Sequence, residues 1–207
     1  STFRAIYTEV FTSVAYIGFN TVSEQRLAEN IFGRRMSPHG LISVGINVVA
    51  DADWVDVKRK YNLPEEYLLY VGRIDKGKLN HIVQYFLHYK ARYANSKLKF
   101  VLVGGLFSAL VSHSDLIYTG FVSENEKYAI IRHAKIMVNP SKFESLSLIL
   151  LEGMQLGKPM LVNGKCEVLK EHCSKSEKAA LAYWNKNDFI SKLASLETSS
   201  ELCREMG

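Results

Sequence analysis

The chain is short of every feature that would place it in a bilayer, a fibre or a disulfide scaffold. No apolar stretch in the 207 residues reaches the roughly 18 that a membrane-spanning helix needs. No basic-then-apolar leader opens it, so neither a span nor a signal peptide is expected, and without an initiator Met it reads as an excised fragment. Its cysteines, Cys166, Cys173 and Cys203, are odd in number and lack paired spacing. That excludes a disulfide framework and favours a reducing compartment. His172 stands beside Cys173, but without C-x-x-C spacing ordinary buried thiols are the expectation, not a metal site. Lys and Arg are scattered, and no run alternates basic with aromatic residues, so nucleic acid is not expected as a partner. Internal repeats and low-complexity segments are absent.

What remains is a globular composition, 47% hydrophobic, enough to bury a real core. A net charge of +5 and a pI near 9.0 suit an anionic ligand or loose contact with an anionic membrane surface. Val14 to Asn20 reads as a strand and Ser23 to Phe32 as a helix ending at Gly33. A Pro/Gly stretch (37–45) and a short apolar run, Ile46 to Ala50, follow. Asp51 to Asp56 and Lys58-Arg59-Lys60 read as linker and charged surface. Then the pattern becomes regular. Tyr67 to Val71, Leu98 to Val103, Leu116 to Thr119, Ile136 to Val138, Pro159 to Val162 and Ala179 to Tyr183 are short apolar runs, each followed by a helix candidate. His81 to Tyr93 has helical spacing, and Ser123 with Glu126 has capping-box spacing. Apolar strands interleaved with helices predict an α/β fold, a doubly wound parallel sheet of about six strands. Ligands of such sheets gather at the carboxyl ends of the strands.

Three motifs fall there. Gly72 to Lys78 matches G-x-x-x-x-G-K, but Leu79 replaces the hydroxyl that would ligate magnesium, which argues against a P-loop triphosphatase. The turn still carries Arg73 and Lys78, a guanidinium fork and an ammonium able to offset a diphosphate without a metal. Asp51-Ala-Asp53 has the form of a metal clamp but lies before the sheet begins. Between Phe143 and Lys158, Glu144 and Ser145 occupy the expected N-cap of an apolar helix, so the amides of Leu146, Ser147 and Leu148 would face an anion. Glu152, a carboxylate among leucines in a helix expected to be buried, needs a polar partner.

Taken in order, Tyr70-Val-Gly-Arg73 with Lys78, Val101-Leu-Val-Gly-Gly105, Tyr118-Thr-Gly-Phe-Val-Ser123, Val138-Asn-Pro-Ser141, Glu144-Ser-Leu-Ser-Leu with Glu152, and Gly157-Lys-Pro159 resemble the donor-binding half of the group 1 family of retaining glycosyltransferases. Those enzymes have the two-Rossmann-domain GT-B architecture. The resemblance covers roughly Ile46 to Glu201. It implies that residues 46–207 form the nucleotide-sugar domain and that residues 1–45 are the end of an N-terminal acceptor domain with its linker.

The resemblance also implies roles. Arg73, Lys78 and the amides of Leu146, Ser147 and Leu148 would hold the diphosphate and carry the electrostatic catalysis. Glu144, counted with Arg73 and Lys78 as catalytic, would accept hydrogen bonds from the donor sugar, with that of covalent nucleophile in a double displacement as the competing role; Glu152 would take the ribose, and Phe121 and Val122 would edge the base. The donor would be a nucleotide diphosphate sugar, UDP- or GDP-linked, with no metal or other cofactor; the acceptor would be a sugar or lipid-linked glycan, with the protein in the cytoplasm or on the inner face of the membrane. Capsule and lipopolysaccharide transferases belong to the same family. The chain departs from it at Leu146-Ser147, where Phe-Gly is common, and at Asn163-Gly-Lys-Cys-Glu167, which replaces a Gly-Gly loop. The other functions weighed are a nucleotide-sugar-binding module without turnover and a GT-B sugar-nucleotide epimerase, for which extra acid/base residues are not found.

Overall fold

The computed structural model describes residues 2–33, 36–47, 50–108, 111–175 and 180–206. In chain order the first elements are α1 (Thr2–Ser13), β1 (Ile17–Phe19), α2 (Val22–Phe32), β2 (His39–Leu41), α3 (Trp54–Tyr61), β3 (Tyr67–Val71) and α4 (Lys76–Arg92). Next come β4 (Lys99–Val103), β5 (Leu116–Gly120), α5 (Glu124–His133), β6 (Ile136–Asn139) and α6 (Leu148–Gln155). The last are β7 (Met160–Asn163), α7 (Glu167–Lys175), β8 (Ala180–Tyr183), α8 (Lys186–Thr198) and α9 (Ser200–Met206).

The six apolar runs form one parallel sheet in the order β5-β4-β3-β6-β7-β8. Alternate residues of each strand serve opposite faces. Leu68, Tyr70, Phe100, Leu102, Ile136, Val138 and Leu161 pack under α4 and α8 with Phe86, Phe189 and Leu193. Tyr67, Leu69, Val101, Val103, Met137, Met160 and Val162 pack on the other side, against Ile130, Leu150 and Leu169. Strands covered on both faces have no solvent side, which is why their sequences lack polar alternation. Strand order reverses between β3 and β6. The connections leaving those neighbours diverge there, opening a crevice at the carboxyl edge.

A second, two-stranded parallel sheet, β1-β2, lies at the N-terminal end. It joins the larger body through α2, where Glu171 accepts hydrogen bonds from Ser23 N at 2.8 Å and Ser23 Oγ at 2.7 Å.

Several expectations need correction. Residues 2–13 form a helix, and the first strand is confined to Ile17–Phe19. The supposed linker after Asp51 is α3: Asp53 caps it through Asp56 N, Asn62 closes it in the left-handed conformation, and Val57 is buried. The helix expected from His81 starts earlier, at Lys76, because the Asp75 side chain caps it through the amide of Lys78. Ser123 and Glu126 do form a capping box. Ala179, and Val48 and Val49 of the apolar run after Gly45, lie outside the described residues.

Candidate functional site

The crevice is built first by glycines. Gly72 ends β3 with φ 147° and Gly104 ends β4 with φ 136°. A Cβ on Gly104 would stand 2.0 Å from the Gly72 carbonyl oxygen, so only bare backbone lets the two strand ends close together. A Cβ on Gly105 would meet the Phe121 ring at 2.4 Å. These turns and Phe121 surround a cavity of about 360 Å³, lined also by Val71, Arg73, Val103, Phe107, Val122 and Lys127. Its walls are apolar with cations at two edges, the form of a site for a flat, uncharged ring next to an anionic group. Phe121 and Val122 thus meet Arg73 at one cavity, while Lys78, Glu144 and residues 146–148 do not line it.

Tyr70 connects Arg73 with that second group. Its hydroxyl donates to the Arg73 carbonyl at 3.0 Å, and the Lys78 ammonium lies 5.9 Å from its ring centroid. Burial holds the Tyr70 pKa well above the ordinary phenol, and the charges of Asp75 and Glu144 push it the same way, against Arg73. So Arg73 and Glu144, on loops from either side of the strand-order reversal, act on one hydroxyl. The Arg73 side chain is 66% exposed, and its Nε donates to Asp75 Oδ2 at 3.0 Å. Asp75 is held below the ordinary carboxylate range, first by the Lys78 amide and then by Arg73.

The loop from Pro140 to Ser147 is strapped from three directions. Asn139 Nδ2 donates to Ser147 Oγ at 2.8 Å and reaches Glu144 Oε1 at 3.4 Å. Thr21 Oγ1 donates to the Ser145 carbonyl at 3.1 Å. His172 Nε2 lies 3.0 Å from the Leu146 carbonyl, which can only accept, so that nitrogen carries the proton. The expected cap at Glu144 and Ser145 is therefore wrong: Ser147 is the N-cap, in the left-handed conformation at φ 68°, and the helix begins at Leu148. The later start leaves the three amides open. Among the described residues no acceptor meets the N–H of Leu146, Ser147 or Leu148, and a left-handed residue just before a helix turns successive amides toward one point. The helix is also less buried than expected, since Leu148 is half exposed.

Glu152 finds its polar partner inside the protein. Lys127 Nζ donates to Oε1 at 2.9 Å and Tyr128 Oη approaches it at 3.3 Å. Lys127 also lines the cavity, so it links Glu152 to Phe121 and Val122. Sequence reasoning missed Lys127, Phe107, Tyr70 and Asp75. Only Asp75 left a local signal, a capping residue ahead of an apolar helical pattern. The Asp51-Ala-Asp53 carboxylates have structural work: Asp51 pairs with Arg132, and Asp53 caps α3. The Cys173 thiol is pushed up to about 11 by burial, which leaves it unreactive.

Residues 65–198 match the family model described as glycosyl transferases group 1. The chain belongs to that family. Its fold is that of GT-B glycosyltransferase domains. Sucrose-phosphate synthase from Thermosynechococcus elongatus is 17% identical and superposes with a TM-score of 0.78 over 99% of this chain and 54% of its own. TarM is 15% identical, with a TM-score of 0.76 over 100% of this chain and 41% of its own. Anabaena HepE, solved in complex with UDP and glucose, is 10% identical, with a TM-score of 0.74 over 99% of this chain and 60% of its own. This group 1 chain therefore spans about half the length of the structures it resembles. No curated protein matches it significantly by sequence. Among its described residues no helix is long and apolar enough to cross a membrane.

Proposed function

We propose that this chain is the donor-binding half of a retaining glycosyltransferase that moves a hexose from a nucleotide diphosphate sugar to a glycan or lipid-linked acceptor in the cytoplasm. What supports the reading is that the turn of Arg73 and the loop of Glu144, on either side of one strand-order reversal, both act on Tyr70, while the amides of residues 146–148 on that second loop meet no acceptor among the described residues. A pyrophosphate fits between them. Arg73 and Lys78 meet its oxygens from one side and the amides of residues 146–148 from the other, with no metal required for neutralisation.

The base enters the cavity between Phe107 and Phe121, and Glu152, steadied by Lys127, accepts from the ribose hydroxyls. Glu144 accepts from the sugar. As the glycosidic C–O bond breaks, negative charge builds on the leaving diphosphate, and donors already fixed in place stabilise it without reorganising. Attack on the same face, with the departing phosphate taking the acceptor's proton, then retains the anomeric configuration and asks no base of this half.

The test is a thermal-shift screen of the chain against UDP, GDP, ADP and CMP and their sugar conjugates. At ligand about 100-fold above Kd the expected stabilisation is about 2.7 kcal/mol. At least one diphosphate should raise the transition more than CMP. Equal shifts for all, or none, would end the proposal.

A further inference from the structure

Beyond β6 and β7 the chain keeps a second set of polar groups that the donor reading does not use. The two strands pair Met137 with Met160, Val138 with Leu161 and Asn139 with Val162. Past the strand ends the two loops stay tied together, because Asn163 Nδ2 donates to the Pro140 carbonyl at 3.1 Å. Lys142 and Lys165 stand on these two loops, and both lie close enough to His81 of α4 for their charges to act on its ring. Both lysines are exposed, and among the described residues neither has a carboxylate partner. Like charges held near one another repel.

Two more donors lie at this corner. Ser141 is 3% exposed and its Oγ has no hydrogen-bond partner; the buried His81 Nε2, on α4, has none either. A buried polar atom without a partner is costly, and both of these can donate. Burial, helped by the ammonium groups of Lys142 and Lys165, holds His81 below the ordinary histidine pKa, so its ring is neutral and can offer an N–H. Glu144 follows Lys142 on the same loop, which puts these donors next to the place proposed for the donor sugar.

We infer that Lys142 and Lys165, with Ser141 and His81, form an anion subsite that receives a carboxylate or phosphate carried by the transferred sugar or by its acceptor. The inference rests on the donor reading for its location but not for its chemistry. Its preferred substrate is an acidic or phosphorylated sugar.

Calorimetric titration of the chain with two matched pairs tests it: UDP-glucuronate against UDP-glucose, and glucose 6-phosphate against glucose, with UDP alone as reference. The anionic member of at least one pair should bind roughly ten-fold more tightly, the scale of one charge-assisted bond. The double substitution Lys142→Gln with Lys165→Gln should erase that preference and leave UDP affinity unchanged, and Lys142→Arg with Lys165→Arg should keep it. Preference confined to UDP-glucuronate assigns the anion to the donor, and preference confined to glucose 6-phosphate assigns it to the acceptor. Equal affinities within both pairs, or a preference that survives the Gln substitutions, would overturn the inference. If UDP itself does not bind, the donor reading falls separately and the glucose 6-phosphate pair still decides this one.

Discussion

After β3 the chain turns through Gly72, Arg73 and Asp75 straight into a helix, and its exposed cation leans on a carboxylate two residues away. After β6 it takes a longer path, strapped by Asn139, Thr21 and His172, and presents backbone amides rather than a guanidinium. The two walls of one crevice thus provide positive potential differently. The β3 wall is strongly charged but mobile, since a two-thirds-exposed arginine must leave Asp75 to meet a ligand. The β6 wall is weakly charged but already in position. Electrostatic catalysis needs donors that do not reorganise, so the β6 wall should set geometry and the β3 wall should supply affinity.

The largest expected effect comes from breaking the fixed wall. Ser147 holds φ 68°, where a β-branched residue is strained, and its hydroxyl satisfies the buried Asn139 amide. Ser147→Val should lower stability by about 3 kcal/mol, combining backbone strain with loss of the shorter Asn139 hydrogen bond. Urea denaturation would measure it. A loss under about 1 kcal/mol would mean the loop relaxes freely and is not a fixed wall.

The mobile wall comes next. Arg73→Ala should weaken nucleoside diphosphate binding by about 2 kcal/mol while leaving the urea midpoint unmoved, because the exposed side chain supports no core contact. Unchanged calorimetric affinity would remove it from the site.

Asp75→Asn sharpens the contrast with the opposite sign. Asn caps a helix as well as Asp, so the first turn of α4 should hold, while Arg73 loses its internal partner. Diphosphate affinity should rise by a few fold, as expected for releasing an exposed pair. The pH dependence follows from the lowered Asp75 pKa: the stability its charge contributes is complete at neutral pH and disappears only as pH falls through that lowered value. The affinity gain should therefore be present at neutral pH and shrink in strong acid, where wild-type Asp75 is itself protonated. A fall in affinity at neutral pH would show that Asp75 orients Arg73 for the ligand instead of competing for it.

The sequence carried most of the sheet and little of this difference between the walls. Strands such as Tyr67–Val71 and Lys99–Val103 are buried on both faces, so composition alone betrays them. The α3 helix escaped because Val57 is its one buried residue and half of its eight residues, Asp56, Lys58, Arg59 and Lys60, are charged, although Asp53 and Asn62 were readable as caps. Ser145 and Glu144 looked like a cap because local chemistry permits it. What moved the helix start to Leu148 was Asn139, held beside Ser147 by the strand before it. Lys127 with Glu152, and Arg73 with Glu144 through Tyr70, are likewise contacts between elements, which periodicity does not encode.

The smallest effect asks whether the fixed wall is steered from the N-terminal elements. Thr21 is 2% exposed; its Oγ1 accepts from Glu24 N at 3.2 Å as the α2 cap and donates to the Ser145 carbonyl at 3.1 Å. Thr21→Val keeps the shape and removes both bonds. The lost cap alone should cost about 1 kcal/mol of stability. Diphosphate affinity should fall less than about two-fold, because Asn139 and His172 still hold the loop. Thr21→Ser, which keeps the hydroxyl, should restore both quantities. A ten-fold loss of affinity in Thr21→Val with the usual loss of stability would reverse the ranking: the β6 wall would then owe its position to α2, and movement of α2 would reach the diphosphate through a single carbonyl.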